Sequence, residues 1–346
     1  MKSLDESYYN SFFSHIYVEE EIADHPRVKK ILTRFENAEV VYIRHYKDIF
    51  CRRRQDYEEQ HHAQNLILAK KTGSLIYQGA PVCQNFGNTW FYYTSCMMNC
   101  IYDCEYCYLK GMYPSANIVI FVNIEDIFKE LHQMLSEHPV YLCVSYDTDL
   151  LAFDSVTGYV REWEHFVLEE NKRSPNPLKI EIRTKSANEK SFSFESLIPD
   201  ENIIYAFTLS PQRVTEQYEH NTPSLKQRIS CVTGAVQKGF PVRLCFDPMI
   251  YCPDWQQEYD EMIKLVAKEV PMDQIFDVSV GSFRVSQDYL KKMRKSEPYS
   301  AVVQFPFQND SGVYHYGKEL TEQMEHYLTG KLLQYVPEDK IFRWES

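Results

Sequence analysis

The stretch from Ser95 to Tyr108 reads SCMMNCIYDCEYCY and holds four of the chain's ten cysteines, at positions 96, 100, 104 and 107. Thiols this crowded indicate metal or redox chemistry rather than disulfides in a cytosolic protein. Structural zinc usually takes two separated ligand pairs, and the chain has no second CxxC or HxxxH pair. Thiolate ligands from one short loop instead favour an iron–sulfur cluster.

The number of thiolate ligands decides what such a cluster can do. Cys100, Cys104 and Cys107 supply three thiolates, which leave one iron of a four-iron cluster open for chemistry. Cys96 as a fourth ligand would close the site and give an electron-transfer or structural cluster. The spacing is compatible with both interpretations. The other six cysteines are dispersed, and we expect them to be small buried hydrophobes.

The composition narrows the class of protein. The chain has 346 residues, of which 44% are hydrophobic and 25% charged, as in a globular protein with one large α/β domain or two smaller ones. It has only 11 glycines and neither a GxGxxG nor a GxxxxGK[ST] motif, so those nucleotide-binding loops are excluded. No apolar run approaches the ~18 residues of a membrane helix, and the first residues lack an apolar signal core. We therefore expect a cytoplasmic protein without membrane contact.

Strand-like and helical patterns alternate along most of the chain. Runs of β-branched and aromatic residues predict strands at 88–95, 140–145, 179–184, 203–210, 242–246 and 276–280. Amphipathic patterns predict helices at 124–136, 159–170, 224–238 and 255–270. Strands that alternate with helices indicate parallel βαβ units and hence an α/β fold. Residues 1–85 form a separate mixed α/β segment in this interpretation, with a strand at 38–43.

The cysteine spacing resembles the hallmark of radical S-adenosylmethionine enzymes, CxxxCxΦC with an aromatic residue at Φ. Here the motif is Cys100-x3-Cys104-Glu-Tyr106-Cys107. Within that superfamily the chain is most similar to the spore photoproduct lyase family. Several short segments carry this resemblance in the family's order, among them 104–109 (CEYCYL), 184–185 (TK), 207–210 (FTLS) and the helix start 221–225 (NTPSL) with Arg228.

The resemblance implies a fold and two cofactors. The fold is a partial (β/α)6 TIM-like barrel over residues 86–346, including C-terminal substrate-binding elements, after an N-terminal α/β extension over residues 1–85. A [4Fe–4S] cluster is held by Cys100, Cys104 and Cys107, and its open iron chelates the methionine part of S-adenosylmethionine. One-electron reduction, from a donor such as flavodoxin or ferredoxin, then yields a 5′-deoxyadenosyl radical.

The resemblance also assigns residues to S-adenosylmethionine. Tyr106 would pack beside the adenine, since an aromatic face suits a purine. Thr148 and Lys185 would contact the cofactor, with the Lys185 ammonium meeting its carboxylate as a point charge. Thr208 or Ser210 would lie nearby.

For the reaction, the resemblance implies repair of 5-thyminyl-5,6-dihydrothymine in DNA to two thymines, in which a hydrogen atom returns to a thymine radical. The family takes that hydrogen from a cysteine at the end of the second strand, where this chain has Tyr146. Cys143 lies three residues earlier, an offset that strand alternation places on the opposite face. We therefore expect Tyr146 to be the donor, with Cys143 as the alternative through a bulge. Tyr108 would relay the radical back to the cofactor.

The formal net charge of −12 opposes DNA binding, which draws much of its affinity from phosphate neutralisation. DNA that contains a thymine-dimer lesion is nevertheless the partner that the resemblance implies. Two alternatives stay open. One is a paralogue with the same cofactor chemistry and another substrate, and the other is a non-enzymatic iron–sulfur protein.

Overall fold

The computed structural model describes residues 13–80, 83–187 and 198–343. The strands are β1 (His15–Glu19), β2 (Glu39–Ile43), β3 (Leu66–Ala69), β4 (Ile76–Gln78), β5 (Phe91–Thr94), β6 (Met97–Met98), β7 (Asp103–Cys104), β8 (Ile118–Phe121), β9 (Val140–Cys143), β10 (Leu178–Thr184), β11 (Ile203–Thr208), β12 (Glu219–His220), β13 (Val242–Met249), β14 (Asp277–Ser282), β15 (Arg284–Ser286), β16 (Gln308–Asp310), β17 (Val313–His315) and β18 (Ile341–Arg343). The α-helices are α1 (Pro26–Leu32), α2 (Lys47–Phe50), α3 (Tyr57–His62), α4 (Leu109–Met112), α5 (Ile124–Leu135), α6 (Asp154–Thr157), α7 (Tyr159–Arg173), α8 (Gln212–Tyr218), α9 (Leu225–Gln237), α10 (Trp255–Glu269), α11 (Gln287–Ser296) and α12 (Lys318–Leu332). Short 3-10 helices cover Glu20–Ile22, Leu151–Phe153 and Glu338–Lys340.

The first sheet, called the N-terminal sheet here, has the strand order β2-β1-β3-β8-β6. Strands β2, β1, β3 and β8 are parallel, and β6 is antiparallel at the edge. Strands β6 and β8 come from beyond residue 85, so this sheet draws on both sides of the predicted domain division. The division at residue 85 stays a prediction. Residues 1–12, 81–82, 188–197 and 344–346 of the two predicted domains lie outside the described residues.

The second, large sheet has the order β18-β14-β13-β11-β10-β9-β5-β4. All neighbours in it are parallel except β4, which is antiparallel to β5. Helices α7, α9 and α10 lie in the connections between its strands, which confirms the predicted α/β alternation. Among the described residues the pairing ends at β4 and β18, so closure into a barrel is not shown.

The two faces of the large sheet differ in chemistry. On β10, Ile180 and Ile182 face the main hydrophobic core, which also includes residues of the N-terminal sheet. The intervening Glu181 lies on the other face, where Arg243 of β13 donates to it and to Asp277 of β14. Burying these charges is tolerated because they are paired. Strand alternation continues this polar face towards the carboxyl ends of the strands.

Parallel strands bring their carboxyl ends to one edge of the large sheet. The segments that follow β5, β9, β10 and β11 therefore meet there, and they contain the cysteine loop and most of the predicted cofactor residues. None of the helices in the described part of the chain has the length and apolar character that a membrane crossing requires.

Candidate active site

The cysteine loop after β5 is held by its own polar residues. Asn99 adopts a left-handed backbone conformation (φ 67°), which asparagine tolerates better than most residues. Its side-chain Nδ2 donates to the carbonyls of Ser115 (2.7 Å) and Asn117 (2.8 Å). Further along, β7 pairs with β12, and the Glu105 N–H donates to the Tyr218 carbonyl at 2.9 Å. The loop is thus fixed at both ends before any metal binds.

Three of the loop cysteines share one environment. Burial raises the pKa of the Cys100 thiol, and the nearby Cys107 and Cys104 add to the increase. The Tyr102 N–H donates to Cys100 Sγ at 3.4 Å, the kind of hydrogen bond that stabilises a thiolate ligand. Burial also raises the pKa of Cys104 and of Cys107, and the Lys185 ammonium opposes this increase at both thiols. This donor set, with soft sulfur ligands and a cation beside them, fits an iron–sulfur cluster.

Cys96 lies apart from this group. Its thiol is fully buried in the main core and donates to the Val144 carbonyl at 3.7 Å. Burial raises its pKa to about 12, and its charged neighbours are Lys71 and Asp147 rather than the other loop cysteines. Cys104 and Cys107 therefore act on the Cys100 thiol, whereas Cys96 has a different set of charged neighbours.

Glu219, at the start of β12, connects the predicted cofactor residues. Its Oε1 accepts from the hydroxyls of Tyr106 and Ser210, the latter at 2.7 Å, and lies 3.9 Å from Lys185 Nζ. Its Oε2 accepts from the guanidinium of Arg228. Burial alone would raise the pKa of Glu219, but the two cations and the two hydroxyls lower it to about 2. Glu219 is therefore a buried carboxylate that stays charged at every physiological pH.

Arg228 and Lys185 are placed by local structure. Helix α9 begins with a capping box between Ser224 and Gln227, which sets Arg228 on its first turn. The Arg228 side chain is fully buried and also donates to the Thr208 carbonyl at 3.2 Å. Lys185 directly follows β10, and its Nζ lies 5.4 Å from the centre of the Tyr106 ring.

Asp149 organises the segment after β9. One carboxylate oxygen accepts from the Thr184 hydroxyl (2.7 Å), and the other accepts from the Lys185 N–H (2.7 Å). The neighbouring Thr148 hydroxyl is buried and has no hydrogen-bond partner among the described residues. An unpartnered buried hydroxyl is costly and marks a place where a ligand can bind. Thr208 is the last residue of β11 and Ser210 lies two residues beyond it, and they are 4% and 3% exposed.

The predicted hydrogen-donor region contains an additional thiol. The hydroxyl of Tyr146 and the Sγ of Cys83 are 3.4 Å apart, within hydrogen-bond distance. The ring of Tyr93 stacks on Tyr146 with a centroid distance of 4.3 Å, and the Tyr108 hydroxyl donates to the Tyr146 carbonyl. Burial raises the pKa of Tyr146, so the phenol keeps its proton.

Cys143 contacts Glu181, with Sγ 3.7 Å from Oε1, and Cys83 contributes to the increase in its pKa. Cys143 and Tyr146 therefore both neighbour Cys83. β9 ends at Cys143, so the strand alternation that predicts opposite faces does not extend to Tyr146.

Sequence reasoning missed Glu219, Asp149 and Cys83 as members of this region. Cys83 lies 63 residues before Tyr146 and carries no motif, so no local signal connects them. Glu219 had a weak signal, because it precedes the helix start that carries Arg228.

Comparison with known proteins gives a consistent picture. A sequence model described as spore photoproduct lyase matches residues 12–343. A spore photoproduct lyase of Clostridium acetobutylicum is 21% identical over 341 residues, which cover 94% of this chain and 96% of that protein. A solved spore photoproduct lyase complexed with dinucleoside spore photoproduct superposes with a TM-score of 0.78 at 13% identity, covering 96% of this chain and 98% of the other. A variant with bound AdoMet and dinucleoside spore photoproduct gives 0.78 at 14% identity with the same coverage. At these identities the structural matches show the fold.

Proposed function

This chain belongs to the spore photoproduct lyase family, and from that premise we propose that it is a radical S-adenosylmethionine lyase that repairs 5-thyminyl-5,6-dihydrothymine in DNA to two thymines. The observation that carries the proposal is that Cys104 and Cys107, in the same loop as Cys100, lie near enough to act on its thiol, whereas the charged neighbours of Cys96 are Lys71 and Asp147. Three thiolates leave one iron of a [4Fe–4S] cluster free to bind S-adenosylmethionine. In this proposal the large sheet is the partial (β/α)6 barrel that holds the cluster and S-adenosylmethionine.

Each of the predicted cofactor residues has a role that its surroundings support. Lys185 Nζ, held near Glu219, would meet the carboxylate of S-adenosylmethionine. Tyr106 would present its ring to the adenine, with its hydroxyl fixed by Glu219. The unpartnered Thr148 hydroxyl would gain its missing partner from the ligand, and Thr208 and Ser210 would line the same side. Once bound and reduced, the cluster and S-adenosylmethionine supply a carbon radical that can take a hydrogen atom from the dihydrothymine ring.

Burial of this region protects a radical reaction from side reactions. Tyr106 and Cys104 are 5% and 6% exposed, and Arg228 is fully buried. A dry site restricts quenching by water and solutes. It also strengthens the attraction between the cofactor carboxylate and Lys185.

The return of hydrogen to the thymine radical would come from Tyr146, with Cys83 beside it. A phenol and a thiol both carry hydrogen that a carbon radical can abstract, and the two are hydrogen-bonded at 3.4 Å. Tyr108, whose hydroxyl donates to the Tyr146 carbonyl, would connect this pair with the cofactor side. Cys143 is the alternative thiol, and its sulfur contacts Glu181.

The substrate proposal draws on the family and on its solved relatives, one of which is complexed with dinucleoside spore photoproduct. A lesion in duplex DNA would be extruded before reaction, at a cost that damage lowers. Exposed basic residues at Arg52, Arg53 and Arg54 give local positive charge on a chain of net charge −12. The electron would come from a small carrier such as flavodoxin or ferredoxin, and the site of action would be the cytoplasm.

One experiment separates the three candidate functions. The protein is reconstituted anaerobically, reduced, and incubated with S-adenosylmethionine and a synthetic dinucleotide spore photoproduct. Release of thymidylyl-thymidine supports the repair function. Cleavage of S-adenosylmethionine without repair instead indicates a paralogue with another substrate. No cleavage at all indicates a non-enzymatic iron–sulfur protein.

A further inference from the structure

Apart from the candidate active site, a cavity lies between the N-terminal sheet and the start of the large sheet. It is called the sheet-end pocket here. Its volume is about 320 Å³, and its walls include Tyr46, Lys71, Tyr77, Tyr93, Tyr113 and Asp147. Pockets of this size accommodate small organic ligands. None of the predicted cluster or cofactor residues lines it.

Lys71 is a buried cation that forms no ion pair at contact distance within the described residues, although the Asp147 carboxylate on the same pocket wall attracts it from further away. It is 9% exposed, and no carboxylate oxygen lies within 4.0 Å of its Nζ in the part of the chain that the structure describes. The Nζ instead lies 5.1 Å from the centre of the Tyr77 ring and 5.0 Å from that of Phe121. A buried ammonium with no carboxylate in contact is costly, so an anion that reaches the Lys71 Nζ would be favoured.

Hydrogen bonds fix the backbone around Lys71, so the position of this residue at the pocket is well defined. The Lys71 N–H donates to Asn123 Oδ1 at 2.8 Å, and its carbonyl accepts from Asn123 Nδ2 at 3.0 Å. The buried carboxylate of Glu19 accepts from the N–H groups of Tyr46 (2.7 Å) and Lys70 (2.8 Å). The segments that carry Tyr46 and Lys71 are therefore both tied to the end of β1.

The topology independently favours a ligand at this place. Strand β2 pairs with one side of β1, and β3 pairs with the other side. The direction in which strands are added to the sheet therefore reverses at β1. Open parallel sheets bind ligands at the carboxyl ends of their strands, beside the strand where the order reverses. Tyr46 follows β2, and Lys71 follows β3.

The remaining walls are aromatic. Tyr77 and Tyr93 stack on each other with a centroid distance of 5.1 Å, and Tyr113 and Tyr46 complete the ring-rich side. Aromatic side chains stack on nucleobases and other flat rings, with a gain of ~1–3 kcal/mol per base. Asp147, which accepts from the Ser95 hydroxyl, provides a polar group on the wall.

We propose that the sheet-end pocket binds a nucleotide, with its phosphate on Lys71 and its base against the tyrosine rings. The nucleotide has two sources, a free mononucleotide or a nucleotide of a bound DNA strand. The second source rests on the proposed function. It has structural support because Tyr93 stacks on Tyr146, so the pocket adjoins the predicted hydrogen donor.

The test measures binding to the reconstituted full chain by calorimetry, with S-adenosylmethionine present to fill the cluster site. The probes are thymidine 5′-monophosphate, thymidine, and an undamaged single-stranded oligothymidylate. We expect saturable binding of a phosphate-bearing probe and at least about tenfold weaker binding of thymidine, which has no phosphate. We expect Lys71→Gln to weaken phosphate-probe binding by at least about tenfold. The matched control is Lys70→Gln, because Lys70 is the neighbouring residue with a solvent-exposed side chain paired to Glu21.

Two outcomes support the proposal and identify the source. Binding of the monophosphate indicates a free nucleotide, and Lys71-dependent binding of the oligothymidylate alone indicates a nucleotide in a strand. Phosphate-probe binding that is absent, or equal in Lys71→Gln and Lys70→Gln, overturns the proposal. Hydrogen exchange of the unmodified chain provides a readout independent of variant folding, with protection expected at 44–47 and 70–77. No lesion and no reductant are used, so failure here is distinct from failure of repair.

Discussion

Replacing Glu219 with glutamine is the substitution that tests the buried network most sharply. Glutamine keeps the size of the side chain and removes the charge that Arg228 and Lys185 share. The Arg228 side chain is fully buried, so it would remain as an uncompensated cation in the interior. Removing one partner of a buried ion pair costs about 3–5 kcal/mol.

The pKa of Glu219 gives a second route to the size of this free-energy loss. The pKa falls from an ordinary 4.5 to about 2, and at about 1.4 kcal/mol per pH unit this corresponds to about 3 kcal/mol of favourable interaction with the charged form. The two routes agree. We expect Glu219→Gln to lower the free energy of unfolding by about 3 kcal/mol and Tm by several degrees.

The assay is thermal unfolding of the cluster-free proteins under reducing conditions, followed by S-adenosylmethionine binding to the reconstituted ones. The control is Glu216→Gln, an exposed glutamate of α8 whose carboxylate accepts from Gln212 Nε2 at 2.6 Å. We expect the control to change stability by less than about 0.5 kcal/mol. A loss below about 1 kcal/mol in Glu219→Gln, or an equal loss in the control, would refute the account of Glu219 as the electrostatic centre of the site.

Three further predictions concern the cluster, the hydrogen donor and pH. Alanine at any one of the three grouped cysteines should abolish the visible absorption of the reconstituted cluster, whereas Cys96→Ala should keep it; a loss in Cys96→Ala contradicts the three-ligand site. In the repair assay, Tyr146→Phe should divert the thymine radical to side products, whereas Cys143→Ala should leave repair intact. Adding Cys83→Ala to Tyr146→Phe should remove the remaining repair. Normal repair by this double variant would refute Tyr146 and Cys83 as the donor pair. Burial raises the pKa of Glu164 to about 7, so the folded state keeps a proton that the unfolded state releases from about pH 4.5 upward. Stability should therefore fall between about pH 4.5 and 7, and Glu164→Gln should flatten that fall in denaturant titrations; an unchanged slope counts against it.

The repeating part of the fold was predictable because periodicity reports it directly. The predicted runs at 140–145, 179–184 and 203–210 became β9, β10 and β11, and all four predicted helices formed. Assignment of strands to sheets was less accessible, because β8 has the same apolar character as the strands of the large sheet yet pairs with β3. Only long-range pairing decides which sheet a buried strand joins.

The site shows the same division between local and distant information. Cys100, Cys104 and Cys107 could be found because their spacing is itself the signal. Cys83 had no sequence signal, and Glu219 had only the weak signal of the helix start that follows it. Each acts through a contact with a residue far along the chain, Tyr146 for Cys83 and Tyr106 for Glu219. The predicted opposite faces of Cys143 and Tyr146 rest on strand alternation, which reaches only to the end of β9 at Cys143.

The central claim is that three thiolates hold a four-iron cluster with one iron free for S-adenosylmethionine. The most direct measurement is electron paramagnetic resonance of the anaerobically reduced, reconstituted protein, recorded before and after addition of S-adenosylmethionine. We expect a [4Fe–4S] signal that shifts on addition in the unmodified protein and equally in Cys96→Ala. A signal indifferent to S-adenosylmethionine, or a protein that binds zinc in place of iron and sulfide, would contradict the claim.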